Sequence, residues 1–465
     1  MNIKKFIFFL VFLLKKAINQ DSKYLVFNFS TNINLDEVTD DNYMMKKLDQ
    51  KIYINLDIGQ PPQTIPMTIK LWQYPTYILK KDAEGGENTQ IKYDDKKSQD
   101  FKVESYLLQG LYKYDFTKGY FSKDSLNINP QLKDFYFFLA TVNGVGSKNI
   151  SGEIGLGKEN SQTENVQSYP QRTRFIQQLL DNNLIEQKIF GFLYDTEYEG
   201  RIFFGDYLDN IIKKYKDQEM NEIPLETNVL SNDFRKWLLK FDFSCTSGNE
   251  NTLIYSEGTF GFLMIEYGLI IGSTTFRDGF ARDYFTNKKC QNITVGASFH
   301  FTEYYCTDKS QFEDFPNISF SYSTFEGKYE FSFTKDELFV QRGNKYIFQI
   351  VFELFTTEGV DYWKIGQPFF RKYAIFLKEE EKGVKMAYCL NKFYKDEKEG
   401  LSTQTIVIIV LSVTLSLLII AIVVYFKFFY KRVRKKRATE LDEDYEYTAK
   451  QESKLYADDN DSNLI

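Results

Sequence analysis

Short apolar runs separated by turn residues make up most of the chain, a pattern that is typical of β-strands. Residues 58–78, IGQPPQTIPMTIKLWQYPTYI, show it clearly, because a Gln-Pro-Pro-Gln turn separates two extended apolar runs. They predict a hairpin whose second strand ends at Ile69, directly before Lys70. Helical spacing is rarer and occurs over residues 175–190, ahead of a strand that begins at Ile189. The fold class is therefore predicted to be mainly β.

Two apolar runs of different length lie near the ends of the chain. The first is nine residues long, follows two lysines and is too short to span a bilayer. It predicts a secretory signal peptide at residues 1–20, with a short uncleaved anchor as the alternative. The second run is long enough to cross the hydrocarbon core and predicts a transmembrane helix at residues 404–426, behind a polar stalk at residues 393–403.

The charges that follow the second apolar run predict the orientation of the chain in the membrane. Residues 427–465 begin with a cluster of lysines and arginines, which the positive-inside rule places in the cytoplasm. The expected topology is type I, a single-pass membrane protein. Its ectodomain would be extracellular or in the lumen of the secretory or endosomal system.

The composition of the 465-residue chain suits a folded exported protein. Hydrophobic residues make up 43% and aromatic residues 17% of the sequence, which is enough apolar surface for two lobes. The net charge of −6 argues against nucleic acid as a partner. His300 is the only histidine, which disfavours hydrolases that use a histidine base. The sequence has no closely spaced Cys and His residues that would predict a metal site, and no cofactor is expected.

Cysteines and sequons agree with export. An even number of cysteines in an oxidising compartment predicts two disulfides, and three pairings are open among Cys245, Cys290, Cys306 and Cys389. Asn-x-Ser/Thr sequons predict a glycoprotein with attachment sites at Asn28, Asn149, Asn292 and Asn317.

Several glycine-containing segments follow one another in a fixed order along the chain. After Ile-Gly-Gln-Pro-Pro-Gln come GYFSKD at residues 119–124, GEIGLG at 152–157, GRIFFG at 200–205 and WKIGQPFFRKY at 363–373. This order resembles that of the pepsin-like (family A1) aspartic proteases. The resemblance implies a bilobal pepsin-like fold, with an N-terminal lobe at residues 46–225 and a C-terminal lobe at residues 226–392. Residues 21–45 would be an N-terminal segment or the remnant of a propeptide.

The same resemblance places Lys70 and Glu266 where these enzymes carry their two catalytic aspartates. On the first Asp-Thr-Gly motif, Lys70 takes the Asp position and Trp72 the Gly position. The match to the second catalytic motif keeps Gly268 and the apolar residues that precede the catalytic position, but has Glu266 in place of Asp. No Asp-Thr-Gly or Asp-Ser-Gly occurs in the sequence. Tyr112 matches the flap tyrosine, so the resemblance assigns Trp72, Tyr112 and Gly268 to the substrate-binding cleft.

Replacing an aspartate by lysine changes the chemistry of such a site. Two adjacent carboxyl groups share one proton and act as base and acid in turn. An ammonium has three donors and no acceptor, so Lys70 cannot take a proton from water. We predict an ion pair between Lys70 and an ionised Glu266, with two solvent-directed side chains as the alternative. The resemblance also implies a Cys290–Cys306 disulfide, which leaves Cys245 to pair with Cys389.

Three functions follow from these observations. The first is a membrane-anchored pepsin-like protein without catalytic activity, whose inter-lobe cleft binds a peptide or protein ligand. The second is an active aspartic endopeptidase with an atypical dyad. The third is a surface scaffold or adhesion protein. The missing Asp-Thr/Ser-Gly motifs favour the first.

Overall fold

A computed structural model describes most of the region between the predicted signal peptide and stalk. The described residues are 24–33, 38, 42–73, 75–84, 91–109, 116–143, 150–158, 172–206, 220–226, 237–246, 252–286, 288, 290–295, 301–323, 327–354, 362–381, 383–391, 425, 428–430, 446, 447, 449 and 450. The signal peptide, the stalk, nearly all of the predicted transmembrane helix, Tyr112 and Asn149 lie outside them. In the part of the chain so described, no helix is both long and apolar enough to cross a membrane.

Strands run through both halves of this region. The first half contains β1 (Tyr24–Thr31), β2 (Ile52–Ile58), β3 (Gln63–Lys70), β4 (Tyr77–Glu84), β5 (Lys102–Gln109), β6 (Phe116–Leu126), β7 (Leu132–Asn143), β8 (Gly152–Gly155), β9 (Ile189–Tyr194), β10 (Glu199–Gly205) and β11 (Asn221–Pro224). The second half contains β12 (Leu238–Thr246), β13 (Thr252–Leu263), β14 (Ile270–Gly272), β15 (Gln291–Val295), β16 (Phe301–Cys306), β17 (Asn317–Ser323), β18 (Lys328–Phe333), β19 (Phe339–Arg342), β20 (Lys345–Phe348), β21 (Ile350–Glu353), β22 (Trp363–Ile365), β23 (Tyr373–Glu380) and β24 (Gly383–Leu390). The mainly β class is confirmed.

The strands assemble into two large sheets, as a bilobal pepsin-like fold requires. Among the described residues, the first sheet has 13 strands in the order β11-β24-β23-β9-β10-β1-β2-β3-β8-β4-β7-β6-β5. The second has 11, in the order β18-β17-β12-β13-β22-β14-β21-β16-β20-β19, with β15 paired to β16. Most strands of each sheet come from one half of the chain, but β23 and β24 return to the first sheet beside β9.

The predicted hairpin is formed by β2 and β3, with Ile58 opposite Gln63. The turn begins at Gly59, whose positive φ of 89° suits glycine. The second strand extends one residue beyond the predicted end at Ile69, because Lys70 still pairs with Gly155 of the parallel strand β8. Lys70 is therefore part of a buried sheet.

Helices are short and lie between the strands. They span Tyr43–Leu48, Phe175–Asp181, Thr274–Ala281, Lys335–Leu338 and Gln367–Lys372, with a π-helical turn at Arg282–Thr286 and a 3₁₀ turn at Lys309–Phe312.

The helix predicted over residues 175–190 ends earlier, at Asp181, so the predicted helix was too long. Asn183 takes a left-handed conformation with φ of 56°. Its amide donates to the Leu180 carbonyl and the Leu184 amide donates to the Leu179 carbonyl, both at 2.9 Å. This pair of bonds is the Schellman motif that terminates helices. The strand predicted to begin at Ile189 is confirmed.

Aromatic side chains fill the core of the second sheet and join it to the first. The ring of fully buried Trp363 lies 4.5 Å from that of Phe243 and 5.3 Å from that of Phe320, measured between centroids. Such pairs add to the free energy of burial. At the start of the second half, the indole Nε1 of Trp237 donates to the Leu156 carbonyl, just after β8, at 2.8 Å. The two halves are thus bonded beside the end of β8.

The cysteines agree with one of the two predicted disulfides. Cys290 and Cys306 are bonded, which confirms the first pair. The second predicted pair is wrong, since Cys245 and Cys389 are both buried thiols. Cys245 lies in the main core cluster, whereas Cys389 belongs to a separate cluster formed around β9, β10, β23 and β24. The two thiols lie in different clusters and therefore do not form a disulfide.

Candidate functional site

Two loops with related backbone bonding follow parallel strand pairs, one in each half of the fold. β3 runs parallel to β8, with Lys70 opposite Gly155, and the Leu156 amide donates to the Lys70 carbonyl at 2.8 Å. In the second half β13 runs parallel to β22. There the Gln367 amide donates to the Tyr267 carbonyl, also at 2.8 Å. Lys70 and Tyr267, the neighbour of Glu266, therefore accept comparable backbone hydrogen bonds in the two halves.

Lys70 forms a buried ion pair with Glu153. Its Nζ lies 2.7 Å from Oε1 of Glu153, and the two side chains are 9% and 0% exposed. The predicted pair between Lys70 and Glu266 therefore names the wrong partner, and the solvent-directed alternative is wrong as well. The register of β3 on β8 explains why Lys70 pairs with Glu153. Glu153 lies opposite Thr68 on the parallel strand, and Thr68 and Lys70 point to the same face of β3 because side chains alternate.

Glu266 is buried, and its carboxyl group has no hydrogen-bond partner in another described residue. The residue is 6% exposed, and neither carboxylate oxygen accepts a hydrogen bond from another described residue. Burial raises the pKa of Glu266 to about 7, although the nearby Lys70 acts to lower it. Glu266 is therefore partly protonated near neutral pH, whereas the sequence predicted a fully ionised carboxylate, because loss of hydration outweighs attraction to the ammonium.

Lys51 is a further charged group of this site. Burial lowers the pKa of Lys51, the charge of Lys70 lowers it further, and Glu153 and Glu266 act in the opposite direction. Two cations and two carboxyl groups therefore influence one another. The carboxyl group of Glu153 is held by Lys70, so the arrangement differs from a pair of carboxyl groups that share one proton.

The sequence contained a signal for Glu153 but none for Lys51. In GEIGLG, Glu153 occupies a position that is apolar in the pepsin-like pattern Gly-Ile-Leu-Gly-Leu-Gly, and all four residues of β8 are buried. An acidic residue in a buried strand requires a partner. Lys51, by contrast, follows Gln50 in an ordinary polar stretch, and only its burial identifies it.

Trp72 places an aromatic ring where the family pattern has glycine. The ammonium of Lys70 lies 5.3 Å from the centroid of the Trp72 ring, within the range of a cation–π contact. The half-buried indole also packs against an apolar cluster of the second half, made of Leu238, Phe262, Met264 and Tyr362. The ring therefore bridges the two halves beside Lys70.

Gly268, which the resemblance assigned to the cleft, has a packing role. A Cβ added to Gly268 would overlap the carbonyl oxygen of Lys47, in the helix Tyr43–Leu48. Only glycine lets the two backbones approach so closely. Within the described ranges, no group of three or more His, Cys, Asp or Glu side chains is arranged to hold a metal ion.

Two β-sheets, each built mainly from one half of the chain, and two loops at the ends of parallel strand pairs define a bilobal protein of the pepsin-like class. A comparison with protein families matches residues 51–389 to the family described as eukaryotic aspartyl protease. The match begins at Lys51 and ends at Cys389, so it includes both loops and all four charged groups of the site. This chain belongs to the eukaryotic aspartyl protease family. No curated protein matched the chain.

Proposed function

We propose that this protein is a pepsin-like protein that has lost peptide hydrolysis and binds peptides or protein segments between its lobes. The observation that carries the proposal is the buried ion pair of Lys70 with Glu153. An ammonium in this place has no lone pair with which to activate water. The charge of Lys70 is compensated by Glu153, which also lies in the first half of the chain. The ion pair is therefore a stable feature of the fold.

Glu266 alone does not replace the missing dyad. Hydrolysis by this family's chemistry needs one carboxylate as base and a second carboxyl group as acid, with a proton shared between them. Glu153, a second carboxyl group of the site, is engaged by Lys70. The partly exposed ring of Trp72 stands beside the ion pair and would offer an apolar contact to a bound peptide.

The proposal includes a location. The protein would be exported by residues 1–20 and held in a membrane by residues 404–426, with the two lobes outside the cytoplasm. Three of the predicted glycosylation sites have exposed side chains, which supports their modification: Asn28, Asn292 and Asn317.

The second candidate is an endopeptidase that works with Glu266 and Glu153. It is favoured by one observation, the pKa of about 7 that burial gives Glu266, which allows proton exchange near neutral pH. For this function Glu153 would have to leave Lys70 during the reaction.

One experiment separates these functions. The full chain, purified in detergent, is incubated with a random peptide library between pH 3 and 7, and both cleavage and retention of peptides are measured by mass spectrometry. We expect retention without cleavage. A variant carrying Lys70→Asp, Trp72→Gly, Glu153→Ile and Glu266→Asp rebuilds two carboxyl groups without the competing ion pair and is expected to cleave. Lys288→Asp, at an exposed surface pair with Asp314, is the control.

The outcomes have distinct meanings. Cleavage by the unmodified protein that a hydroxyl-containing transition-state analogue blocks would overturn the proposal in favour of the endopeptidase. If the protein neither cleaves nor retains peptides, the scaffold function is the one that remains.

A further inference from the structure

The N-terminal brace, which we define as residues 42–50, lies against the loop that carries Glu266. This loop, residues 264–269, is called the Glu266 loop. A Cβ on Gly268 would overlap the Lys47 carbonyl oxygen and approach the Gln50 side chain to 3.1 Å. The backbones of brace and loop are therefore in direct contact, and the contact depends on glycine at this position.

The Glu266 loop is also held by the residues that follow β22. A Cβ on Gly366 would overlap the carbonyl oxygens of Tyr267 and Leu269. The next residue bonds both partners: the Gln367 amide donates to the Tyr267 carbonyl, and its Nε2 donates to the Gln50 carbonyl, each at 2.8 Å. The start of the helix Gln367–Lys372 thus contacts both the Glu266 loop and the brace.

Buried charges anchor the brace. The Lys47 side chain is 1% exposed and forms an ion pair with Glu197, in the turn between β9 and β10. Arg371 donates to Glu197 at 3.2 Å and to the side-chain oxygens of Gln50 and Gln367 at 3.1 Å. Breaking a buried charge network of this kind by removing one member is costly, because the remaining charge is left uncompensated.

Apolar packing adds to this anchor. The brace side chains Tyr43, Met44 and Leu48 are buried in one cluster with Leu269 of the Glu266 loop and Ile271 of β14. The chain segment ahead of the brace is equally integrated, since β1 lies between β10 and β2 inside the first sheet. Removal of residues 24–50 would open that sheet and expose the cluster.

We propose that the N-terminal brace is a permanent part of the mature protein and that Lys47 is a positioning residue, which holds the Glu266 loop through the brace backbone. The segment therefore differs from a propeptide that leaves on maturation. This role goes beyond the proposed function, because it applies whether the site binds or cleaves peptides.

Amide hydrogen exchange of the full chain in detergent tests the proposal. Lys47→Met removes the buried charge at similar volume, and we expect exchange to rise at least about tenfold in residues 42–50 and in residues 264–269, because both lose the same anchor. The control is Lys46→Met on the same helix, where the side chain is exposed. In both variants the hairpin of β17 and β18 should keep its exchange rate, which a general loss of stability would not allow.

Two results would overturn the proposal. One is faster exchange in residues 42–50 with residues 264–269 unchanged, which would mean that the brace does not position the loop. The other is a purified mature chain that begins after residue 50. If Lys47→Met does not fold, Gln50→Leu provides the same comparison, since it keeps Lys47 and removes the side-chain bond to Arg371.

Discussion

Lys70 is stabilised in the core by an acidic residue on the neighbouring strand. An isolated ammonium in an apolar interior is strongly disfavoured, whereas a close ion pair recovers part of the lost hydration. Glu153 provides that pair at 2.7 Å, with both side chains almost completely buried. The two substitutions relative to the pepsin-like pattern, a lysine for the aspartate and a glutamate for an apolar residue, are thus best understood together.

This coupling makes a prediction for stability. Lys70→Met should lower the free energy of unfolding by about 3–5 kcal/mol, because it leaves Glu153 buried and unpaired. The double variant Lys70→Met, Glu153→Leu should lose clearly less than the two single variants together. Urea unfolding measures both quantities. Lys288→Met, in an exposed pair, should cost less than about 1 kcal/mol. Additive losses at Lys70 and Glu153 would contradict the coupling.

The raised pKa of Glu266 predicts that the free energy of unfolding depends on pH. Burial raises the pKa of Glu266 to about 7 in the folded protein, above its value of about 4.3 in an unfolded chain. The folded state therefore keeps a proton that the unfolded state releases. The resulting stability is present below about pH 4 and is lost as the pH rises through about 7.

Relative to Glu266→Gln, the unmodified protein should lose on the order of 3 kcal/mol of unfolding free energy between pH 4 and pH 8. Urea unfolding of both proteins at several pH values gives this difference. If the two stability curves run parallel, Glu266 titrates normally and its burial is not as described.

At the scale of elements, local chemistry explains where the helix Phe175–Asp181 stops. The apolar spacing continues beyond Asp181, but Asn183 adopts the left-handed conformation that ends the helix. Asparagine tolerates this conformation better than most residues with a side chain, and glycine tolerates it best.

We therefore expect opposite effects from two substitutions at this position. Asn183→Ala should lower the free energy of unfolding by about 1 kcal/mol, because alanine resists a positive φ. Asn183→Gly should leave stability unchanged or raise it. Thermal unfolding of the two variants beside the unmodified protein measures the difference. A more stable alanine variant would mean that the helix continues past Asp181.

The whole molecule determines the state of the cysteines. The antiparallel pairing of β15 with β16 brings Cys290 and Cys306 together, but Cys245 and Cys389 are packed in different clusters. Burial also raises the pKa of Cys245 to about 12, which suppresses the reactive thiolate.

Thiol counting tests this arrangement. Alkylation of the protein in denaturant without reductant should modify two cysteines, because Cys245 and Cys389 are thiols. After reduction all four should react. In the native state both thiols should react slowly, since they are buried. Intact mass measures each count, and no modification before reduction would show that a second disulfide exists.

The sequence by itself determined the features that depend on neighbouring residues. Alternating apolar positions and the Gln-Pro-Pro-Gln turn were sufficient to predict the mainly β class and the hairpin of β2 and β3. The ordered glycine segments were sufficient to predict the family to which the chain belongs. The hairpin pattern also placed Lys70 within one residue of the end of its strand.

Only the tertiary structure decided the features that depend on which strands become neighbours. The partner of Lys70 follows from the register of β3 on β8, and the raised pKa of Glu266 follows from its burial in the folded chain. The packing of Gly268 against the Lys47 carbonyl brings together residues more than two hundred positions apart. Ion pairing, desolvation and close backbone approach are properties of distances in space, and the order of residues along the chain does not contain those distances.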